Sequence, residues 1–496
     1  MLKKIKGFLF ENSTTRQTVA KGAFWLTVSN VGGRLLRSVI IIYAARVLGA
    51  EGWGVFSYAI TLAAFLTMFT GFGIDPVLVR ETAKLSTHEE RSRLVATTLA
   101  IKLVLMTLGV LVVLFIAPHF TTIPEAKILL PIIVFVIIFD GFREFGHSLI
   151  RGLEKTQWEA CIFILTNIGI VAFGFLFLRL DPTPRSFTYA YAFGTGVGAL
   201  AAFLYLWKYI KHAYSCFSAK LVKPLLRSAW PFAATSALAI LLTNTDILII
   251  SWLRSASDVG LYSAATRIVQ LFYLLPVILQ TSIMPIFARL ANVDSHKFRT
   301  VFERTIGMAY LVAIPISFGG FALGKEIMTL VFGGTFAPAA GVFGILMLTM
   351  IVDFPAVILA GALFAHDRQK SLITVAAIAG ISNVVLDILL IPRFGIIGSA
   401  YATFFAQIFA NAYLWYVMKK INYFEVLPSL KKVVASSVII SAAAYVLVAA
   451  GANVIFAILA SAILYFALLK FFKEPLLDEV RLIFGVKTPN EKTALS

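Results

Sequence analysis

Ala50-Glu51-Gly52-Trp53-Gly54-Val55-Phe56-Ser57-Tyr58-Ala59 aligns without a gap on Ala256-Ser257-Asp258-Val259-Gly260-Leu261-Tyr262-Ser263-Ala264-Ala265. Each stretch sits where a first apolar run turns into a second, and the same offset pairs Lys21 with Arg227 just before the opening run of each half. Further along, Asn167 and Asn383 occupy matching fifth runs, and Leu206-Trp207 and Leu414-Trp415 close matching sixth runs. Repetition of this kind means two copies of one helical unit. The chain reads as six plus six helices in parallel orientation, followed by an extra pair.

The runs themselves set the medium. Hydrophobic residues make up 59% of the chain and charged residues 14%, against roughly 25% charged in a soluble domain. Mean hydropathy is +0.89. Apolar runs fall near 24–47, 53–74, 95–117, 128–150, 158–180, 187–210, 229–253, 259–288, 301–323, 341–364, 371–391, 396–418, 433–450 and 453–470. A bilayer core of about 30 Å takes roughly 20 apolar residues per helix, so the fold class is an all-α polytopic membrane protein of about fourteen transmembrane helices in two pseudo-symmetric six-helix lobes plus two C-terminal helices. The expected division is 1–22 as an N-terminal segment, 23–212 as the first lobe, 213–226 as a linker, 227–420 as the second lobe, 421–472 as the final pair and 473–496 as a tail.

The net charge of +18 sits in short loops, which speaks against nucleic acid and for the positive-inside rule. With both termini in the cytoplasm, about 32 Lys and Arg fall on cytoplasmic segments and about 7 outside. Four more lie within runs: Arg34, Arg37, Lys102 and Arg267. No cleaved signal peptide is read at the N-terminus. Loops this short leave no soluble catalytic domain, Cys161 and Cys216 support no disulfide framework, and no Gly-rich Lys-Ser/Thr loop offers a nucleotide site. The chain is expected to use no metal and no cofactor. The stretch Asp75 to Leu94 reads as an interfacial helix or a solvated connector.

A charge in the bilayer costs about 2.5–3.5 kcal/mol on insertion scales, so each needs a partner or a cavity. Thr27, Asn30, Arg34 and Arg37 are spaced by three, four and three, on one helix face. Arg34 lies thirteen residues beyond Lys21, about 20 Å at 1.5 Å per residue, too deep to snorkel in comfort. Arg267 shares a face with Gln270; its depth matches that of Asp246, so an ion pair and a cavity role both stand. Asp140, Glu144, His147 and Arg151 recur at helical spacing beside Arg143, as a paired network or a gate. Asp353 and Asp387, the latter four residues past Asn383, either hold a coupling proton or sodium ion or pair with arginines. Lys102 is expected to snorkel. Prolines 231, 276, 285, 315 and 355 are placed to bend helices. Clustered arginines on a cavity wall suit a phosphate or pyrophosphate, because guanidinium is always charged and forms paired hydrogen bonds to phosphate oxygens.

The runs Lys21-Gly22-Ala23-Phe24-Trp25, Ala44-Ala45-Arg46-Val47-Leu48-Gly49-Ala50-Glu51-Gly52-Trp53-Gly54 and Gly71-Phe72-Gly73-Ile74 leading to Arg80-Glu81 resemble the polysaccharide biosynthesis proteins. These are the Wzx-type lipid-linked oligosaccharide flippases of the multidrug/oligosaccharidyl-lipid/polysaccharide exporter superfamily. The resemblance implies alternating-access translocation of a polyprenyl-pyrophosphate-linked repeat unit from the cytoplasmic to the outer leaflet of a prokaryotic inner membrane, for surface polysaccharide such as O-antigen. It implies a lipid-linked glycan, membrane lipids and the pathway's polymerase or glycosyltransferases as partners. By span, Arg34, Arg37 and Arg267 match cavity arginines of relatives that handle the peptidoglycan lipid precursor. Pyrophosphate recognition is thus expected of Arg34, Arg37, Arg267, Asn30 and Gln270, and coupling or gating of Asp140, Asp246, Asp353 and Asp387. A cation-coupled drug exporter of the same superfamily is the alternative. A membrane-embedded glycosyltransferase finds no catalytic carboxylates or large loop to support it.

Overall fold

A segment in hydrocarbon has no water to take its backbone hydrogen bonds and must close them internally. The computed structural model describes residues 15–85, 87–211, 216–426 and 430–475, and all fourteen apolar runs in it are helical. Most of the expected N-terminal segment, part of the linker and most of the tail lie outside the described residues.

Helix α1 (Thr15–Gly71) carries the first two runs, broken at Gly49, whose φ of 67° belongs to the left-handed region. There follow α2 (Ile74–Lys84), α3 (His88–Leu111), which continues through a π-helical turn to Phe120, α4 (Leu130–Gly152), α5 (Thr156–Leu180), α6 (Pro184–Ile210) and α7 (Ala219–Leu253). The second half consists of α8 (Ala256–Phe272), α9 (Leu274–Leu290), α10 (Ser295–Ala322), α11 (Ala340–Ala365), α12 (Gln369–Phe394), α13 (Ile396–Ile421), α14 (Lys431–Ala449) and α15 (Val454–Phe471). Among the described residues, ten helical stretches are long and apolar enough to cross a membrane, and one of them, Phe24–Gly71, holds two runs. Among the described residues, the runs at 128–150 and 396–418 are helical but do not meet that measure, so length and apolarity do not by themselves fix fourteen crossings.

Two expectations change. The run 259–288 is two helices, interrupted at Tyr273. Pro276 lacks the N–H that would bond the carbonyl of Phe272 and its ring crowds that carbonyl. Prolines 231, 285, 315 and 355 instead sit inside continuous helices. The stretch after the second run also packs more deeply than a helix merely resting on a surface: Ile74, Val77 and Leu78 of α2 are fully buried in an apolar cluster with Leu149 and Ile150 of α4, while Arg80, Lys84 and Glu89 stay exposed.

The chain forms two compact units, Met1–Gly260 and Leu261–Ser496. In the first, α1 and α6 pack on α5, α4 on α6, and α7 on α1 and α2. The two copies of the opening repeat meet within this unit, and reciprocally. A Cβ added to Gly54 would stand 1.8 Å from the Ala256 carbonyl oxygen, and one added to Gly260 would stand 1.8 Å from the Ala50 carbonyl oxygen. Residue i of one stretch touches j of the other and j touches i, a reciprocity between residues 50–54 and 256–260 of this unit. In the second unit, α12 packs on α13 and α11 on α10 and α13. The final pair docks on α10, where the Tyr465 hydroxyl donates to the Leu311 carbonyl at 2.7 Å above Val433, Ile440 and Leu469.

Candidate functional site

The polar stripe of α1 is set in place by close helix packing. A Cβ on Gly33 would come within 2.5 Å of the Phe163 ring and 2.8 Å of Asn167 Nδ2, so only glycine lets α1 approach α5 this closely. One turn on, Arg37 meets Asn167. Its Nε donates to Asn167 Oδ1 at 2.9 Å, a terminal nitrogen donates to the Tyr191 hydroxyl of α6 at 3.0 Å, and the guanidinium lies 5.6 Å from the Tyr191 ring centre. Asn167 is fully buried and is held in turn by donating to the Phe163 carbonyl at 2.7 Å.

Arg34 differs from Arg37. It is exposed, as are Thr27 and Asn30 on the same face, and its side chain makes no hydrogen bond or ion pair among the described residues. Asn30 donates back to the Leu26 carbonyl at 2.8 Å. The stripe therefore ends in one arginine held by neutral hydrogen-bond partners and one that is exposed and without a hydrogen bond among the described residues.

On α4, Arg143 is buried and bridges Asp140 at 3.2 Å and Glu144 at 2.6 Å. Asp140 is thus engaged by a neighbour on its own helix. His147, one turn on, is buried with its Nε2 unbonded. Below this, Lys102 departs from its expected snorkelling. It is 2% exposed and holds both oxygens of Asp75 at 2.8 Å. Burial pushes the Asp75 carboxyl above its ordinary range and the Lys102 ammonium pulls it back. Sequence reasoning missed this pair because the partner lies on α2, which only packing brings inward. The charge inside the third run was the available signal.

In the second unit, Arg267 is half-buried and donates to Gln270 Oε1 at 3.5 Å, so the two do share a face. Asp353 is buried and accepts from the Tyr273 hydroxyl, which also lies 3.4 Å from Thr349 Oγ1. No arginine pairs with Asp353 among the described residues, so that alternative is corrected: Tyr273, at the break between α8 and α9, takes the place. Asp387 is fully buried one turn from Asn383, whose Nδ2 donates to Thr403 Oγ1 at 3.4 Å. Asp246 is buried in the first unit.

With this geometry in view, the family model described as polysaccharide biosynthesis protein matches residues 19–291, more than half of the chain. The chain belongs to that family. The resemblance of the opening motifs is therefore borne out. A second model, MatE, matches residues 231–389. Among curated proteins, the probable flippase AglR of Haloferax volcanii is 31% identical over 166 residues, 32% of this chain and 34% of that protein, so the match spans about a third of AglR. The probable low-salt glycan biosynthesis flippase Agl15 of the same organism is 24% identical over 78% of this chain and 80% of its own. A solved structure of the lipid II flippase MurJ in an inward closed conformation covers 91% of this chain and 99% of its own at 20% identity with a TM-score of 0.75. That likeness establishes the fold, an all-helical polytopic transporter fold, as the repeat led us to expect.

Proposed function

We propose that this polysaccharide biosynthesis protein is a flippase for polyprenyl-pyrophosphate-linked oligosaccharide repeat units. It moves them by alternating access from the cytoplasmic to the outer leaflet of a prokaryotic inner membrane with both termini inside. The observation that carries the reading is the arginine pair of α1: Arg37 anchored by Asn167 and Tyr191, with Arg34 one turn away, exposed and without a partner among the described residues. Two guanidinium groups at that spacing bind a pyrophosphate by charge-assisted hydrogen bonds. Arg37 is the fixed half of the grip and Arg34 the half that closes on ligand. Arg267 and Gln270 are assigned to the same substrate, with Asn30 beside Arg34. Relatives named as flippases support this reading.

No bond is made or broken, so the chain is not read as an enzyme. Net export draws on an ion gradient or the membrane potential, worth about 2.3 kcal/mol per charge per 100 mV. With Asp140 held by Arg143, Asp246, Asp353 and Asp387 are the remaining candidates to hold a proton or sodium ion. Glycan polymerase or glycosyltransferases of the pathway are assigned as partners upstream and downstream.

A second reading, a cation-coupled drug exporter, draws on the MatE match and on the buried acids of the second unit. Reconstitution separates the two. Liposomes carrying fluorescent polyprenyl-pyrophosphate glycan are scored for label reached by an external reagent, with Arg34→Ala/Arg37→Ala as control. Arginine-dependent translocation supports the flippase. A folded protein that leaves the glycan lipid in place and expels organic cations sinks it in favour of the exporter.

A further inference from the structure

On the side of α4 turned away from Asp140 and Arg143, the first unit does not fill its own space. A cavity of about 320 Å³ lies between α4 and α6, bounded by Phe139, Phe142, Gly196, Leu200, Phe203 and Ile210. Its floor, Phe145, Ala202 and Leu206, is buried core, whereas Leu200 and Phe203 on its rim are exposed. It is therefore a groove on the outer surface of membrane helices, and every residue lining it is apolar. Packed side chains abhor such a void, since atoms facing it lose their dispersion contacts. In a bilayer the material that restores them is a hydrocarbon chain.

Length and charge identify which chain. The wall runs from Gly196 to Ile210, fourteen residue steps or about 21 Å of helix, little more than one leaflet of a core about 30 Å thick. At the Ile210 end, Trp158 stacks on Tyr205 with ring centres 5.0 Å apart, Trp207 is exposed, and Lys155 Nζ donates to the Tyr209 hydroxyl at 3.3 Å. Trp and Tyr gathered at one level mark the membrane interface. Just beyond it stand Lys211, Lys220 and Lys223, all exposed and without a hydrogen bond or ion pair among the described residues. The start of α7 lies beside α3, the helix that lends Leu99 to the groove: the Ser218 amide donates to Thr97 Oγ1 at 3.2 Å, and Leu221 and Val222 pack in the extended apolar cluster that also holds Leu206 and Ile210, so Lys220 and Lys223 follow closely on that contact.

We infer that this groove binds one acyl chain of an anionic phospholipid from the leaflet on the basic side, its phosphate held by Lys211, Lys220 and Lys223. A groove that opens at the interface and closes within about one leaflet takes a chain of leaflet length rather than a long polyprenol. The site is separate from the arginine pair, and its test does not depend on transport.

The full-length protein is purified in mild detergent and offered equal amounts of phosphatidylglycerol and phosphatidylcholine with identical acyl chains, and retained lipid is read by native mass spectrometry. One phosphatidylglycerol should be kept over phosphatidylcholine by about tenfold or more. Lys211→Gln/Lys220→Gln/Lys223→Gln, which alters only exposed side chains, should abolish that preference, and Ala199→Phe, which fills the groove, should lose the retained lipid. The inference is overturned by equal retention of the two lipids, by an unchanged preference in the lysine variant, by undiminished retention in Ala199→Phe, or by displacement with equimolar polyprenyl pyrophosphate.

Discussion

Asn167 and Asn383 hold matching places in the two halves of the chain, yet they bond to different chemistry. In the first unit Asn167 accepts from the Arg37 guanidinium, and the neighbouring polar residues form a network around Arg37 and Arg143. In the second unit Asn383 donates to the Thr403 hydroxyl one turn from buried Asp387, and buried Asp353 leans on Tyr273. One helical plan thus carries an arginine–amide contact in one copy and an amide–hydroxyl contact one turn from a buried acid in the other. The repeat preserves the packing positions, where small residues and shape decide, while the inward polar positions were free to diverge.

The largest effect tests what the halves share. Gly54→Leu and Gly260→Leu each drive a side chain into a carbonyl, and both should cost more than about 4 kcal/mol, read as loss of monodisperse protein in size-exclusion chromatography. A tolerated change at either position would break the reciprocity. Next comes a feature confined to the first unit. Lys102→Met leaves half-buried Asp75 without its cation and should cost about 3 kcal/mol, whereas Lys102→Met/Asp75→Leu should recover most of that. Thermal unfolding followed by intrinsic tryptophan fluorescence distinguishes the two; equal losses would mean that the pair is incidental.

The arginines sharpen the comparison at the site itself. Arg37→Ala should lower stability by about 1.5–3 kcal/mol, because it strands Asn167 and Tyr191, and Arg34→Ala by no more than about 0.5 kcal/mol. Both should reduce translocation in the liposome assay, the pair by about a hundredfold. If Arg34→Ala transports normally, the free arginine has no grip. The smallest stability effect is expected for Asp353→Asn, which keeps an acceptor for Tyr273 and should shift unfolding by less than about 1 kcal/mol. If Asp353 is the coupling group, the variant's transport should no longer follow an imposed proton or sodium gradient. A gradient response equal to the parent's removes Asp353 from that role.

The helices and the polar stripe were legible in the sequence because each depends on local period: twenty apolar residues for a span, three and four for a face. Arg34 and Arg37 could be placed on one face, but that Arg37 is pinned and Arg34 free depends on Asn167 and Tyr191, 130 and 154 residues away. The burial of Lys102 was hidden for the same reason, since depth along a helix predicts snorkelling only when no acid is packed beside it. Asp353 was visible as a buried charge, yet its Tyr273 partner required the break that Pro276 makes in a run that looked continuous.

The sequence alone determined that this is a membrane protein of repeated helical halves with arginines at depth, because hydropathy, charge bias and self-similarity are properties of the chain in order. Only the tertiary structure decided which of those charges are satisfied, which glycines bring backbones together and where a groove is left open between α4 and α6. Hydrogen bonds and packing act between surfaces that the chain brings together from distant positions, and no local pattern records which surfaces those will be.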